Sequence, residues 1–363
     1  MHKDTRAKHK MRVGVLFGGK SAEHEVSIQS AKNVTQAMDK ERFEPVLIGI
    51  DKSGQWHLAD SMASPFDGAN VVLLPGNSRR ELIAIQTGEP IAVDVVFPVL
   101  HGTMGEDGSA QGLLELANMP YVGAGILGSA IGMDKDVMKR LLRDAHIDVT
   151  DFISMSLAER APFDEAGVIE RLGLPLFVKP ANMGSSVGVS KVSKKEDLQA
   201  AIDEAFRFDA KILLEKAVVG DEIECAVLGN DAPEASLIGR IVPRSADFYS
   251  YKAKYVDDDG AYLEIPAKIT DDVAERAHLV AVEAFKVLAC AGMARVDMFA
   301  CQDGKILVNE INTIPGFTKI SMYPKLWEAS GLTYIDLITR LIELAIARFN
   351  ERQKLATSYE HHL

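Results

Sequence analysis

The sequence predicts an α/β fold that turns α+β toward its C-terminus. Short apolar runs alternate with amphipathic stretches over roughly the first 120 residues, as in a parallel, doubly wound sheet. The last third alternates strands with single helices around a hairpin signal, Asp303-Gly304. With 363 residues and roughly 150 per domain, two to three lobes are expected.

Residues 1–11 read as a basic, disordered tail without the apolar run of a signal peptide. A strand over 11–17 (MRVGVLF) ends in Gly18-Gly19. The helix after it takes Ser21 as N-cap and buries Ile28, Ala31, Val34 and Met38 at helical spacing. A second strand covers 43–51, and the polar, Gly/Pro-punctuated stretch 52–90 has no readable period. A buried strand over 93–100 and a helix including 113–117 complete the first region. An amphipathic helix over 134–145 opens the second. Strands over 176–179 and 187–192 flank a Gly/Ser loop, followed by a helix near 195–208 and a strand at 211–215. Helices over 272–288 and 334–348 belong to the last third, and no internal repeat is visible.

At 47% hydrophobic and 25% charged residues, the chain is globular. Forty Lys and Arg against 52 Asp and Glu leave a net charge of −12, which argues against nucleic acid or an anionic membrane as partner. An anionic ligand must then be met by a few placed cations. Cys225, Cys290 and Cys301 show neither disulfide nor metal-ligand spacing, and suit a reducing compartment as small core side chains. No run approaches the ~18 apolar residues of a membrane span, so a cytoplasmic location is expected.

Two motif matches are rejected. Gly14–Ser21 fits G-x-x-x-x-G-K-[ST] letter by letter, yet Val15, Leu16 and Phe17 belong to a buried strand. Exposing them in a phosphate loop would forfeit ~1.5–3 kcal/mol each. Gly123–Gly128 fits G-x-G-x-x-G, but the acid that should bind ribose, Asp144, lies inside an amphipathic helix. Helix-packing glycines are the better account, and a nicotinamide-dependent activity is not expected.

The segment 293–312 carries the chemistry. With Asp303-Gly304 as a two-residue turn, Gln302 faces Lys305, Phe299 faces Val308, Asp297 faces Glu310 and Arg295 faces Asn312. Alternation places Arg295, Asp297, Glu310 and Asn312 on one face. Opposed carboxylates repel, so a cation should sit between them, and oxygen ligands without Cys or His fit Mg²⁺ shared with substrate phosphates. Two such ions suit phosphoryl transfer. Lys179 precedes a loop, Gly184–Gly188, whose glycines and hydroxyls offer donors to phosphate. Lys135 is a further candidate cation. Glu215 and Glu222 flank a short link whose backbone edge could read a flat heterocycle while a carboxylate holds ribose hydroxyls. The loop 247–255, with three tyrosines and two lysines, could close over a reaction and exclude water.

Seven segments together resemble the D-alanine–D-alanine ligases of the ATP-grasp superfamily: GGKSAEHEVS (18–27), HGTMGEDGSAQG (101–112), MDKDVMKRLL (133–142), VKPANMGSSVGVSKV (178–192), FYSYKAKY (248–255), ARVDMF (294–299) and NEINTIPGFTKISMYP (309–324). The resemblance spans about residues 12–348. It implies a three-domain ATP-grasp fold: a Rossmann-like N-terminal domain over 12–123, a central domain over 124–215 and a catalytic domain over 216–350, with tails at 1–11 and 351–363. It also implies a homodimer that uses ATP and D-alanine, with two Mg²⁺ (Mn²⁺ acceptable), to supply peptidoglycan.

By the same resemblance Lys135 and Lys179 touch the α/β-phosphates and Lys254 the γ-phosphate. Glu215 and the Val218 backbone meet adenine, and Glu222 meets ribose. Asp297, Glu310 and Asn312 hold the metal ions. Glu23 receives the first D-alanine's ammonium, with His101 near that substrate. Arg295 and the Gly316 amide form an oxyanion hole, Ser321 receives the second carboxylate, and Met322 lies beside it. Tyr255, with Glu23 and Ser185, completes a triad that accompanies dipeptide formation. Relatives making the D-alanyl-D-lactate depsipeptide lack that tyrosine and carry histidine nearby, and no histidine occurs in 247–255. A depsipeptide ligase and a non-catalytic ATP-binding module are the alternatives.

Overall fold

The computed structural model describes residues 10–76, 79–160, 163–243 and 261–356. Its first part contains β1 (Met11–Gly18), α1 (His24–Ala37), β2 (Phe43–Ile50), β3 (Trp56–Ala59), β4 (Val71–Leu73), β5 (Glu81–Ala84), β6 (Pro90–Ala92), β7 (Val95–Pro98) and α2 (Ser109–Leu116). The sheet order is β3-β2-β1-β7, with β1 parallel to both β2 and β7 and β3 antiparallel at the edge. Val15, Leu16 and Phe17 have no exposed surface, so the P-loop match is a core strand. The stretch without readable period folds into β3 and a separate antiparallel sheet, β4-β5-β6. Strands of three or four residues are too short to print an alternation.

One expectation fails here. Ser21 does not cap α1: the helix begins one residue after Glu23, without a side-chain cap. Ser21 instead accepts from the Glu23 N–H at 3.1 Å and donates to the His101 carbonyl at 2.7 Å. Its hydroxyl ties the loop after β1 to the loop after β7.

The middle part contains α3 (Ile126–Met133), α4 (Lys135–Asp144), β8 (Phe152–Ser156), α5 (Glu165–Leu172), β9 (Leu176–Pro180), β10 (Ser190–Val192), α6 (Leu198–Ala205) and β11 (Lys211–Lys216). The strands form an antiparallel sheet, β10-β9-β11-β8. Asp134 caps α4, accepting from the N–H groups of Asp136 and Val137, and Lys211 binds the same carboxylate at 2.6 Å. Gly128 is a packing glycine: a Cβ there would lie 2.4 Å from the Ala289 carbonyl oxygen.

The last part contains β12 (Gly220–Gly229), β13 (Glu234–Pro243), β14 (Ala261–Glu264), α7 (Asp271–Val287), β15 (Gly292–Cys301), β16 (Ile306–Asn312), α8 (Met322–Ala329) and α9 (Tyr334–Arg352). Its antiparallel sheet is ordered β14-β13-β12-β15-β16. The final helix runs one turn past the expected Arg348, and Arg352 pairs with Glu115 of α2 at 2.6 Å. Val13, Phe17 and Val34 share one core with Phe317, Tyr323, Leu337 and Leu341, whereas the middle sheet packs Leu176, Val178, Leu198 and Ile212 into a core of its own. Among the described residues no helix is long and apolar enough to cross a membrane.

Candidate active site

The site's acidic face comes from the β15–β16 hairpin, whose register differs from expectation at the turn. Arg295 does face Asn312, and Asp297 faces Glu310. Nearer the turn, Phe299 pairs with Leu307 rather than Val308, and Cys301 donates to the Lys305 carbonyl at 2.9 Å. The loop therefore has three residues, Gln302, Asp303 and Gly304, with Gly304 in the left-handed region at φ +83°. A bulge at Asn309 restores the expected pairing beyond it. Its cause is burial: Ile306 and Val308 must face the core with Ile311, and only an extra residue lets Glu310 and Asn312 face the site.

On that face Arg295 donates from Nε and Nη2 to the two Asp297 oxygens at 2.7 and 2.6 Å, and Nε also meets Glu224 of β12 at 2.9 Å. Asn312 donates to Asp297 Oδ2 at 3.0 Å. Burial alone would weaken the guanidinium's hold on its proton, but Asp297 and Glu224 more than reverse this and keep Arg295 charged. Lys135, at the head of α4, bridges the Met183 carbonyl at 2.8 Å and Glu310 Oε2 at 3.3 Å. Among the described residues no three His, Cys, Asp or Glu side chains converge as a metal cluster. Two carboxylates and an amide, two of the three partnered by protein cations, form an oxygen donor set of the kind that shares Mg²⁺ with phosphates.

The middle sheet faces this one. Lys179 meets Glu215 Oε2 at 2.7 Å and Asn309 Oδ1 at 3.3 Å. Burial would raise the Glu215 carboxyl, but Lys139 and Lys179 hold it below the ordinary range. The half-buried Val218 lies in the link from β11 to β12, and Glu222 follows on β12 opposite Phe299. In the loop between β9 and β10, Ser185 and Ser186 adopt left-handed backbone at φ +53° and +58°. The Ser185 hydroxyl donates to Glu23. A Cβ at Gly102 or Gly184 would come within 2.9 or 3.1 Å of Glu23 Oε2, so both loops pass close to that carboxylate, and Gly102 also holds left-handed backbone at φ +76°.

His101 is buried and neutral because desolvation lowers its pKa. Its Nδ1–H donates to the Ile314 carbonyl, and Nε2 lies 3.0 Å from the Ser30 hydroxyl. Both ring nitrogens are thus committed to protein. Gly316 lies against Ser321, where a Cβ would be 2.7 Å from its Oγ. Ser321 precedes α8 and accepts from the Thr318 N–H at 2.9 Å. The Met322 side chain is buried in the core, which leaves its backbone at the helix start for any ligand. Lys254, Tyr255 and the rest of 247–255 lie outside the described residues.

Sequence reasoning missed three groups: Glu106, Lys139 and Glu224. Glu106 accepts from the Gly102 and Ile314 N–H groups at 2.7 and 3.2 Å. Burial, assisted by the charge of Glu23, pushes its carboxyl up to about 8. An acid inside a glycine-rich loop was the available signal. Nothing in sequence marks Lys139 or Glu224 as buried.

Family models described as D-ala D-ala ligase N-terminus and C-terminus match residues 12–124 and 141–343. The D-alanine–D-alanine ligase A of Chromobacterium violaceum is 54% identical over 367 residues, covering 97% of this chain and 100% of its own. The structure of the D-alanine-D-alanine ligase from Coxiella burnetii superposes with a TM-score of 0.85 at 41% identity, over 95% of this chain and 96% of that one. The VanG D-Ala:D-Ser ligase from Enterococcus faecalis superposes with a TM-score of 0.83 at 36% identity, over 93% and 100%.

Proposed function

This chain belongs to the D-alanine–D-alanine ligase family, and on that premise we propose how its site works. It is an ATP-dependent ligase that joins two D-alanines into D-alanyl-D-alanine for peptidoglycan. The observation that carries this reading is one edge where two antiparallel sheets meet: Lys179 and Glu215 come from one, Arg295, Asp297, Glu310 and Asn312 from the other, and Lys135 links the β9–β10 loop to Glu310.

Adenine lies against the 215–218 link, with Glu222 on the ribose. Lys135 and Lys179 meet the α/β-phosphates, the Gly184–Gly188 loop covers them, and Lys254 reaches the γ-phosphate. Asp297, Glu310 and Asn312 would hold Mg²⁺ (or Mn²⁺), which when bound spreads the charge that builds on the transferring phosphoryl group. Glu23 receives the ammonium of the first D-alanine, and His101 keeps its loop in place. That substrate's carboxylate oxygen attacks the γ-phosphorus as the bond to the β,γ-bridging oxygen breaks, giving D-alanyl phosphate and ADP. The neutral amine of the second D-alanine then attacks the carbonyl carbon. Arg295 and the Gly316 N–H stabilise the oxyanion, while Ser321, beside Met322 at the start of α8, receives the second carboxylate. Collapse expels phosphate, and a proton leaves the new amide nitrogen. Tyr255, with Glu23 and Ser185, helps the 247–255 loop exclude water from the acylphosphate.

We place the domains at 12–123, 124–215 and 216–350, and propose a cytoplasmic homodimer, since ATP is supplied there. Purified protein with ATP, Mg²⁺ and D-alanine should release phosphate and dipeptide in equal amounts. Phosphate without dipeptide, or no dependence on D-alanine, overturns the reading. With D-lactate in competition, mass spectrometry should find dipeptide and no depsipeptide.

A further inference from the structure

Lys139 follows Lys135 by one turn of α4 but has no exposed surface. A buried ammonium is costly unless compensated, and here the compensating carboxylate is shared. Glu215 meets Lys139 Nζ at 3.2 Å through one oxygen and Lys179 Nζ at 2.7 Å through the other. Among the described residues no acceptor is well aligned with Lys139 Nζ for a hydrogen bond. An aliphatic side chain would fill the same space at lower cost, so packing does not explain the charge.

The charge arithmetic does. Glu215 with Lys179 alone is a closed, neutral pair, and in a buried setting such a pair holds together strongly. Adding Lys139 divides the hold of Glu215 between two cations and leaves one positive charge over. Of the two ammoniums, only Lys179 lies at the site, beside Asn309. We propose that Lys139 is a positioning residue for the nucleotide: it draws on Glu215 from behind so that Lys179 stays available to an ATP phosphate. This rests on the assignment of Lys179 to the phosphates given above.

Burial pulls the Lys139 ammonium down to about 8. The charged groups acting on it are Glu215 from β11, Lys179 from β9 and Glu310 from β16. Above that pH the loss of its proton returns Glu215 to Lys179 alone, and nucleotide affinity should fall.

The test measures the Kd of a non-hydrolysable ATP analogue with Mg²⁺ on the full chain between pH 7 and 9.5, alongside melting temperature. Lys139→Met should weaken binding roughly tenfold at pH 7 without lowering the melting temperature, because one buried charge is gone and a neutral pair remains. Wild type should weaken as pH passes about 8, Lys139→Met should show no such inflection, and Lys139→Arg, which does not titrate there, should bind like wild type at pH 7 and keep that affinity up to pH 9.5. Unchanged affinity in Lys139→Met overturns the proposal, as does a loss that Lys139→Arg fails to rescue. If Lys139→Met does not fold, a flat wild-type profile overturns it instead. Lys179→Met is the control: if it leaves analogue binding intact, the phosphate assignment itself fails.

Discussion

Two carboxylates of this site sit in opposite electrostatic surroundings and should respond oppositely to change. Glu106 is enclosed by backbone and faces Glu23, so it stays largely protonated near neutrality, with its carboxyl pushed up to about 8. A raised acid binds its proton more tightly folded than unfolded, so stability is fullest below about pH 4.5 and declines as pH rises toward 8. Glu106→Gln imitates the protonated form and should flatten that decline between pH 5 and 8 in melting curves. Glu310, by contrast, opposes Asp297 and is met by Lys135. Glu310→Gln relieves like-charge repulsion, so it should leave melting within about 1 kcal/mol of wild type while dipeptide formation falls at least a hundredfold, roughly 2.7 kcal/mol in the barrier. A large stability loss in that variant would make Glu310 structural.

Elements rather than residues decide which face each group occupies. In a regular ladder Ile306 and Val308 would share a face with Glu310 and Asn312, burying carboxylates or exposing aliphatics. The bulge at Asn309 separates the two sets. The signal was present in the sequence: the apolar spacing changes from two to three between Val308 and Ile311. The glycines of 123–128 show the same lesson for a motif. At Gly128 a Cβ would meet the Ala289 carbonyl oxygen at 2.4 Å. Gly128→Ala should cost about 1–3 kcal/mol through overpacking, read as a lower melting temperature with unaltered ATP affinity. An NADH titration should show no binding in either protein.

Across the whole molecule, the N-terminal and C-terminal parts share a hydrophobic core, and the middle sheet has a separate one. Phe317 has no exposed surface and packs edge-on against Phe97, with ring centroids 5.9 Å apart, and against Tyr323 at 5.7 Å. Asn33 and Tyr334 both donate to its carbonyl. Phe317→Ala should cost about 3–5 kcal/mol, and hydrogen exchange should accelerate together in β1, α1, α8 and α9. Leu176→Ala, at about 2–5 kcal/mol, should loosen β8–β11 and leave those elements protected, since its core is separate. Joint loosening of all elements in the Leu176 variant would contradict that division.

The sequence by itself determined β1, α1, β2 and β7, the run from β9 to β11, the long helices α4, α7 and α9, the hairpin that presents Asp297 opposite Glu310, and the family, because these are written in contiguous runs and local periodicity. It could not show that Arg295 grips Asp297 and Glu224 at once, that Glu106 holds a proton near neutrality, or that Lys139 stands behind Glu215. Those facts join residues far apart in the chain, and each depends on desolvation, which only packing creates. The sheets of 52–90 stayed hidden for a simpler reason: three or four residues are too few to establish a period, so their pairing is fixed by the partners they meet.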